Sequence, residues 1–189
     1  MKTYTFEQAA TFPVSLSEAK NHLKVDISDD DNLITSLIES ATQLSEEYTN
    51  RFFITTVVIQ TCSTFEESKE LFKSKVSGVT TIKYYDSTNT QVTWANTNYV
   101  VANQYKPCQI ELADNINYPG ITNRIDAIEI TYNVGYGPAS TVPEAIKQAI
   151  LLTIGNWYAN RQSIVVGRIS TELSQSAIWL LDTYKIQVV

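Results

Sequence analysis

Histidine occurs once in this chain, at His22, and cysteine twice, at Cys62 and Cys108. With no CxxC and no Cys/His cluster, zinc has no ligand set. No serine- or cysteine-nucleophile motif surrounds His22, so a catalytic imidazole is not expected. Charge is scarce too: 18% of the residues are Asp, Glu, Lys or Arg, against a usual share of about a quarter. The balance is acidic, −6 overall, and no stripe of Lys and Arg forms. That balance lacks the footprint of a nucleic-acid binder and argues against attraction to an anionic membrane surface. Long apolar runs are missing as well. The longest, Ala149 to Ala159, is broken by Thr153, Gly155 and Asn156 and is too short to span a bilayer. The opening MKTYTFEQAA has no apolar h-region, so no signal peptide is expected. These features point to assembly in a cytoplasm, with two buried thiols favoured over a disulfide.

What is present is a chain of 189 residues, 43% hydrophobic, with 11 tyrosines. That is enough for a real core, and tyrosine is enriched at protein–protein interfaces. Met1 to Pro13 show no period and read as an extended arm. Ser15-Leu16-Ser17-Glu18 has the form of a capping box, followed by Leu16, Ala19 and Leu23 on one face of a short helix. One of Asp29, Asp30 and Asp31 should cap a second helix. Its stripe runs through Leu33, Ile34, Leu37, Ile38, Ala41, Leu44 and Tyr48, with Asn50 as the stop.

From Phe52 to Tyr136 the period changes to two. Strands are expected at Val57–Ser63, Val79–Tyr85, Val92–Ala95, Tyr99–Ala102 and Ile110–Ala113. The clearest is the last, where Ile128, Ile130, Tyr132, Val134 and Tyr136 alternate with polar residues or glycine. Asp86-Ser87-Thr88-Asn89 reads as a turn. Hairpin-length spacings imply antiparallel pairing, because parallel pairs need long crossovers. Helical signals return at Thr141-Val142-Pro143-Glu144, a capping box with proline in the first turn. Between Lys147 and Arg161 there is no charge. A helix apolar nearly all round is buried on most sides, and Gly155 inside it points to a close backbone approach. Ser163 to Gly167 reads as a loop. A last helix is expected from Ser170 or Thr171, with Leu173, Ala177, Leu180, Leu181 and Tyr184, before the apolar tail Ile186–Val189. The expected fold class is α+β: helices from both chain ends pack together, and an antiparallel β region is inserted between them. The expected division is an arm over 1–14, a helical core over 15–51 and 138–184, a β insertion over 52–137 and a tail over 185–189.

Several constellations imitate chemistry without completing it. Gly135-Tyr136-Gly137-Pro138-Ala139-Ser140 half resembles a dinucleotide loop, but the third glycine is Ser140 and no acid follows about 20 residues on. A plain strand-to-helix turn is the better reading. Asp26, Asp29, Asp30 and Asp31 fail the calcium-loop pattern, with Asp31 where glycine and Leu37 where glutamate would be required. Glu46 and Glu47 are sequence neighbours and do not share a helix face. No catalytic, metal or cofactor residue is expected. Asn160 and Arg161, ending the apolar helix, fit a helix C-terminus, with Asn160 in the left-handed cap. They equally fit an intersubunit anchor.

Two blocks have a familiar order. The first is Pro13-Val14-Ser15-Leu16-Ser17-Glu18-Ala19-Lys20, then Leu23-Lys24-Val25-Asp26, an acidic loop and a helix ending Glu47-Tyr48-Thr49-Asn50-Arg51. The second is Ile130-Thr131-Tyr132-Asn133-Val134-Gly135-Tyr136-Gly137, then Val142 to Ile150, then Trp157-Tyr158-Ala159-Asn160-Arg161. Together, over about half the chain, they resemble the head–tail connector (adaptor) family of long-tailed bacteriophages and gene transfer agents. The family often has histidine where Asn156 stands and an acid where Gln162 stands. The resemblance implies a structural virion protein at the head–tail interface. It would form a homo-oligomeric ring, usually dodecameric, attached to a portal protein and accepting a stopper or tail-completion protein. DNA would pass through the lumen without specific binding. On this reading Asn160, Arg161, Trp179, Ile186, Val188 and Val189 are expected at interfaces, Trp179 because tryptophan often anchors them. The exposed apolar tail would be covered by the portal; the alternative is that it adds an edge strand or folds back on its own helices. A different reading is a glycan-binding β-domain of a virion or secreted protein, using Trp94, Tyr84, Tyr85 and Tyr99. A small hydrolase has little support from one histidine and no nucleophile motif.

Overall fold

The structure is a computed structural model that describes residues 2–6, 9–72, 75–105, 107–160 and 173–186. It is α+β, with antiparallel strands throughout. The chain divides into two compact units, one built on Met1–Ala9 and Thr55–Tyr136, the other on Ala10–Ile54 and Gly137–Gln187.

The first unit is a sheet. Its strands are β1 (Lys2–Phe6), β2 (Thr56–Cys62), β3 (Val76–Tyr85), β4 (Gln91–Trp94) and β7 (Ile128–Val134), in the order β1-β2-β7-β3-β4. The last strand in sequence is therefore the central one. Its alternation is the reason: Ile128, Ile130, Tyr132 and Val134 are all fully buried on one face, with Glu129, Thr131 and Asn133 on the other. Strand β2 opposes it with Val58, Gln60 and Cys62 buried, in register Val58↔Tyr132 and Gln60↔Ile130. Lys2–Phe6 is extended, as expected of an arm, but pairs with β2 as an edge strand. Asp86 closes the β3–β4 hairpin, its Oδ1 accepting from the Thr88 amide at 2.8 Å and the Thr90 amide at 3.0 Å. A second small sheet pairs β5 (Tyr99–Ala102) with β6 (Gln109–Leu112). A four-residue helix, α3 (Phe65–Ser68), had no counterpart in the sequence reading.

The second unit holds α1 (Leu16–Leu23), α2 (Asp31–Thr49), α4 (Glu144–Ala159) and α5 (Gln175–Asp182). Helix α4 packs against α1, α2 and α5. Ile34, Ile38 and Ala41 meet Ile146, Ala149, Ile150 and Ile154 in its core, all nearly or fully buried. The alanines allow close approach between the α2 and α4 axes. Gly155 meets a side chain and not the expected backbone: a Cβ there would lie 3.3 Å from Nε2 of His22 on α1, with no backbone atom of a neighbouring element within 4 Å. This packing takes up most of α4 within one chain, so its apolar character needs no partner subunit to cover it.

The Ser15 capping box forms as expected, with Glu18 reaching back to the Ser15 amide at 2.7 Å. Asn50 stops α2 in the left-handed conformation. Three caps differ. Asp30 stands at the N-cap of α2, but its carboxylate accepts from the Tyr158 hydroxyl at 2.6 Å and no side chain caps the helix. Asp31 instead pairs with Lys20 at 2.6 Å. Thr141 does not cap α4. It ends a short 3-10 turn and donates to the Pro138 carbonyl, leaving Pro143 at the N-cap, outside the first turn. Glycine is required at 137, where φ is +120° and a Cβ would lie 2.6 Å from Thr141 Oγ1. Helix α5 starts at Gln175 behind a Ser174 cap; Ser170 and Thr171, the expected start, lie outside the described residues.

Candidate interaction surfaces

The helix α5 is amphipathic in a way that isolates one aromatic. Ala177 and Leu181 are fully buried and Leu173 nearly so, so that side faces the core of the helical unit. Gln175, Ser176, Trp179, Asp182 and Thr183 form the exposed side. Trp179 is 68% exposed, an unusual state for the most hydrophobic aromatic. It sits off the apolar stripe, as its sequence position indicates.

Directly after α5 the chain folds back onto α2. The Ile186 amide donates to the Thr49 carbonyl at 3.0 Å, and Ile186 is buried. The exposed apolar tail expected to begin at Ile186 is thus corrected at that residue: its side chain is consumed by its own unit, where burial recovers hydrophobic free energy without a partner. Val188 and Val189 lie outside the described residues. Tyr48 donates its hydroxyl to Asp182, which holds the phenol proton and raises the Tyr48 pKa above its ordinary value. Lys185 lies over the Tyr48 ring, 4.2 Å from its centroid.

Asn160 is exposed at the end of α4. It does not take the left-handed cap: φ is −109°. Its side-chain amide instead donates back to the Asn156 carbonyl and side-chain oxygen, both at 2.9 Å. Asn156 therefore already serves Asn160. Arg161 lies outside the described residues.

In the β unit the aromatics proposed for sugar stacking are mostly spent on one another. Trp94 is buried, with ring centroids of Phe65 and Tyr99 at 5.1 Å and 5.7 Å. Tyr118 stacks on Phe65 at 4.7 Å. Tyr85 is covered by the Arg124 guanidinium at 3.7 Å. Burial raises the Tyr99 pKa, consistent with a packing role. A ring packed edge and face in this way cannot also offer its face to a ligand. Both cysteines are free and buried, and burial pushes the Cys108 thiol up to about 11, well away from nucleophilic use. A cleft of about 340 Å³ is lined by Lys2, Lys69, Glu66, Glu70 and Glu111 with Gln109 and Ile110. Among the described residues no three His, Cys, Asp or Glu side chains gather as a metal site, and no helix is long and apolar enough to cross a membrane.

The fold so described is a helical unit made from two distant stretches of sequence, and an antiparallel β unit made from the stretch between them together with the N-terminal edge strand β1. The chain belongs to the head completion protein family, whose sequence model matches residues 14–176. No curated protein matches it. Solved structures share the fold at low identity. A chain in the neck of an empty gene transfer agent particle, computed with C6 symmetry, is 17% identical with TM-score 0.76, covering 98% of this chain and 97% of that one. A chain of the virion of a native gene transfer agent particle gives 17% and 0.76, covering 97% and 96%. A chain in the neck of the native particle, computed with C12 symmetry, gives 16% and 0.74, covering 98% and 97%.

Proposed function

We propose that this protein is a head–tail adaptor, a structural part of the virion and not an enzyme. Copies close into a ring beneath the portal, the ring joins capsid to tail, and DNA passes through its lumen. The observation that carries this reading is the family match over residues 14–176, which takes in parts of both units. The like-folded chains come from necks described with C12 and C6 symmetry, which favours a closed ring and is compatible with a dodecamer. A net charge of −6 suits a channel through which DNA slides without sticking. The partners on this reading are the portal protein, a stopper or tail-completion protein, and further copies of the chain. Trp179 and the terminal Val188 and Val189 are assigned to the portal side, and Asn160 with Arg161 to the neighbouring copy.

The test is to delete the gene and image the particles. DNA-filled heads without tails, rescued by the gene in trans, together with a ring of this chain at the vertex of intact particles, are expected. Normal tailed particles from the deletion, or a single copy at the vertex, would overturn the reading.

A further inference from the structure

A buried arginine stands where the helical unit joins its last segment. Arg51 is 7% exposed, and burying a guanidinium is costly unless its donors are used. Its Nε donates to the Tyr184 carbonyl. Its own backbone is fixed by the left-handed Asn50 and by the bond from its amide to the Glu46 carbonyl at 3.1 Å. Three residues at the end of α2, Tyr48, Thr49 and Arg51, thereby hold four at and just after the end of α5, Asp182, Tyr184, Lys185 and Ile186. Tyr48 holds Asp182 and meets Lys185, Thr49 accepts from the Ile186 amide, and Arg51 takes Tyr184. Trp179 lies less than one helical turn before Asp182, so whatever fixes this segment also fixes the direction in which the indole and the following chain point.

A buried charge is weak evidence for stability, since an apolar residue of similar volume often serves equally well. What a guanidinium adds is a directional bond from a planar, pre-organised donor. We propose that Arg51 is the positioning residue of the α5 surface: it locks segment 182–186 onto the end of α2 and sets the angle at which Trp179 is presented to the portal protein. This rests on the reading above that α5 meets the portal.

Three variants of the full chain test it: Arg51→Met, Arg51→Lys and Trp179→Ala. Arg51→Met should keep its helical content while amide exchange at 184–186 quickens about tenfold or more and exchange in α2 and α4 stays unchanged. Tail-bearing particles should fall with it, and Arg51→Lys, which keeps one donor, should restore most of the yield and of the protection. Unchanged exchange at 184–186 in Arg51→Met would overturn the proposal. So would normal tailing by Arg51→Met alongside a defect in Trp179→Ala. Normal tailing by Trp179→Ala shows instead that the α5 surface is not the portal contact, and the proposal falls with that reading.

Discussion

The two units bury polar atoms by different rules. In the helical unit three buried hydroxyls turn to their own helix: Ser45 donates to Ala41, Thr49 to Ser45 and Thr153 to Ala149, each to a carbonyl four residues back at 2.7–2.8 Å. Such bonds are local and say nothing about which helix packs where. In the β unit the polar atoms reach across the chain. The Tyr132 hydroxyl bonds Gln60 Oε1 and the Phe72 carbonyl, both at 3.2 Å, and accepts from the Phe72 amide at 3.1 Å. Gln60 donates from Nε2 to the Glu70 carbonyl at 3.1 Å. Burial raises the Tyr132 pKa, so the group stays a neutral phenol and can both donate and accept. Partners 72 positions apart, Gln60 and Tyr132, tie β2 to β7 as neighbours. The β unit ties β2 to β7 with hydrogen bonds, whereas the α2–α4 core relies on the shape and spacing of Ile and Ala, and long-range hydrogen bonds in the helical unit fall at the two ends of α2, Asp30 with Tyr158 and Arg51 with Tyr184.

This contrast makes predictions of opposite sign. Tyr132→Phe removes the shared hydroxyl, so that the Phe72 amide loses one of two acceptors, keeping Gln60 Oε1 at 3.3 Å, and the Phe72 carbonyl loses the phenol donor. It should destabilise the protein by about 1–3 kcal/mol in denaturant unfolding and expose the Phe72 amide to exchange. A cost near zero would mean the network is not what holds segment 70–72. In the helical unit Thr42 is 5% exposed and its hydroxyl has no partner among the described residues. Thr42→Val keeps the branched shape and discards the hydroxyl, so it should stabilise by about 1 kcal/mol, read as a higher Tm. A loss would show that the hydroxyl is paired in solution.

The smallest effect concerns acid. The Ser15 hydroxyl, and then its amide, hold the Glu18 carboxyl below its ordinary value of 4.5. A carboxylate depressed in the folded state stabilises fully above the unfolded pKa, and that contribution is lost as pH falls through the folded value. Below about pH 4.5 the start of α1 should therefore loosen, seen as faster exchange of the Glu18 and Ala19 amides, and Ser15→Ala should flatten that pH dependence. An unchanged profile in Ser15→Ala would remove the capping box as its source.

The parts of the fold legible in the sequence were those with a strong local period. The alternation at 128–134 and the stripe from Leu33 to Tyr48 each emerged within two residues of the observed bounds. What was not legible depends on distant partners. Lys2–Phe6 has no clear burial alternation because it is an edge strand, and only β2 makes it one. Pro143 reads as a first-turn residue, but the 3-10 turn at 139–141 shifts the helix start by two positions, from an N-cap at Thr141 to one at Pro143. The exposure of Trp179 could be read from its place off the stripe. For Ile186 the sequence left portal contact and fold-back both open, because its partner is a carbonyl 137 positions earlier, that of Thr49. Arg51 carried no signal either, since a lysine or arginine after a helix is ordinary dipole chemistry until its guanidinium is seen to be buried.

The placement of β7 has a consequence for how the chain comes to be made. During synthesis β2 leaves the ribosome with only β1 available as a partner, and β3 follows without the neighbour that will separate it from β2. Neither can complete its ladder until residue 134 has emerged, more than 70 residues after β2 ends. Such pairing is slow, because long loops must close before any bond forms. For that interval the inner faces of β2 and β3 are unpaired and apolar, the state most prone to pairing with another nascent chain. The chain is therefore most exposed to misassembly before its central strand arrives, and slowing translation between residues 62 and 128 should lower its soluble yield.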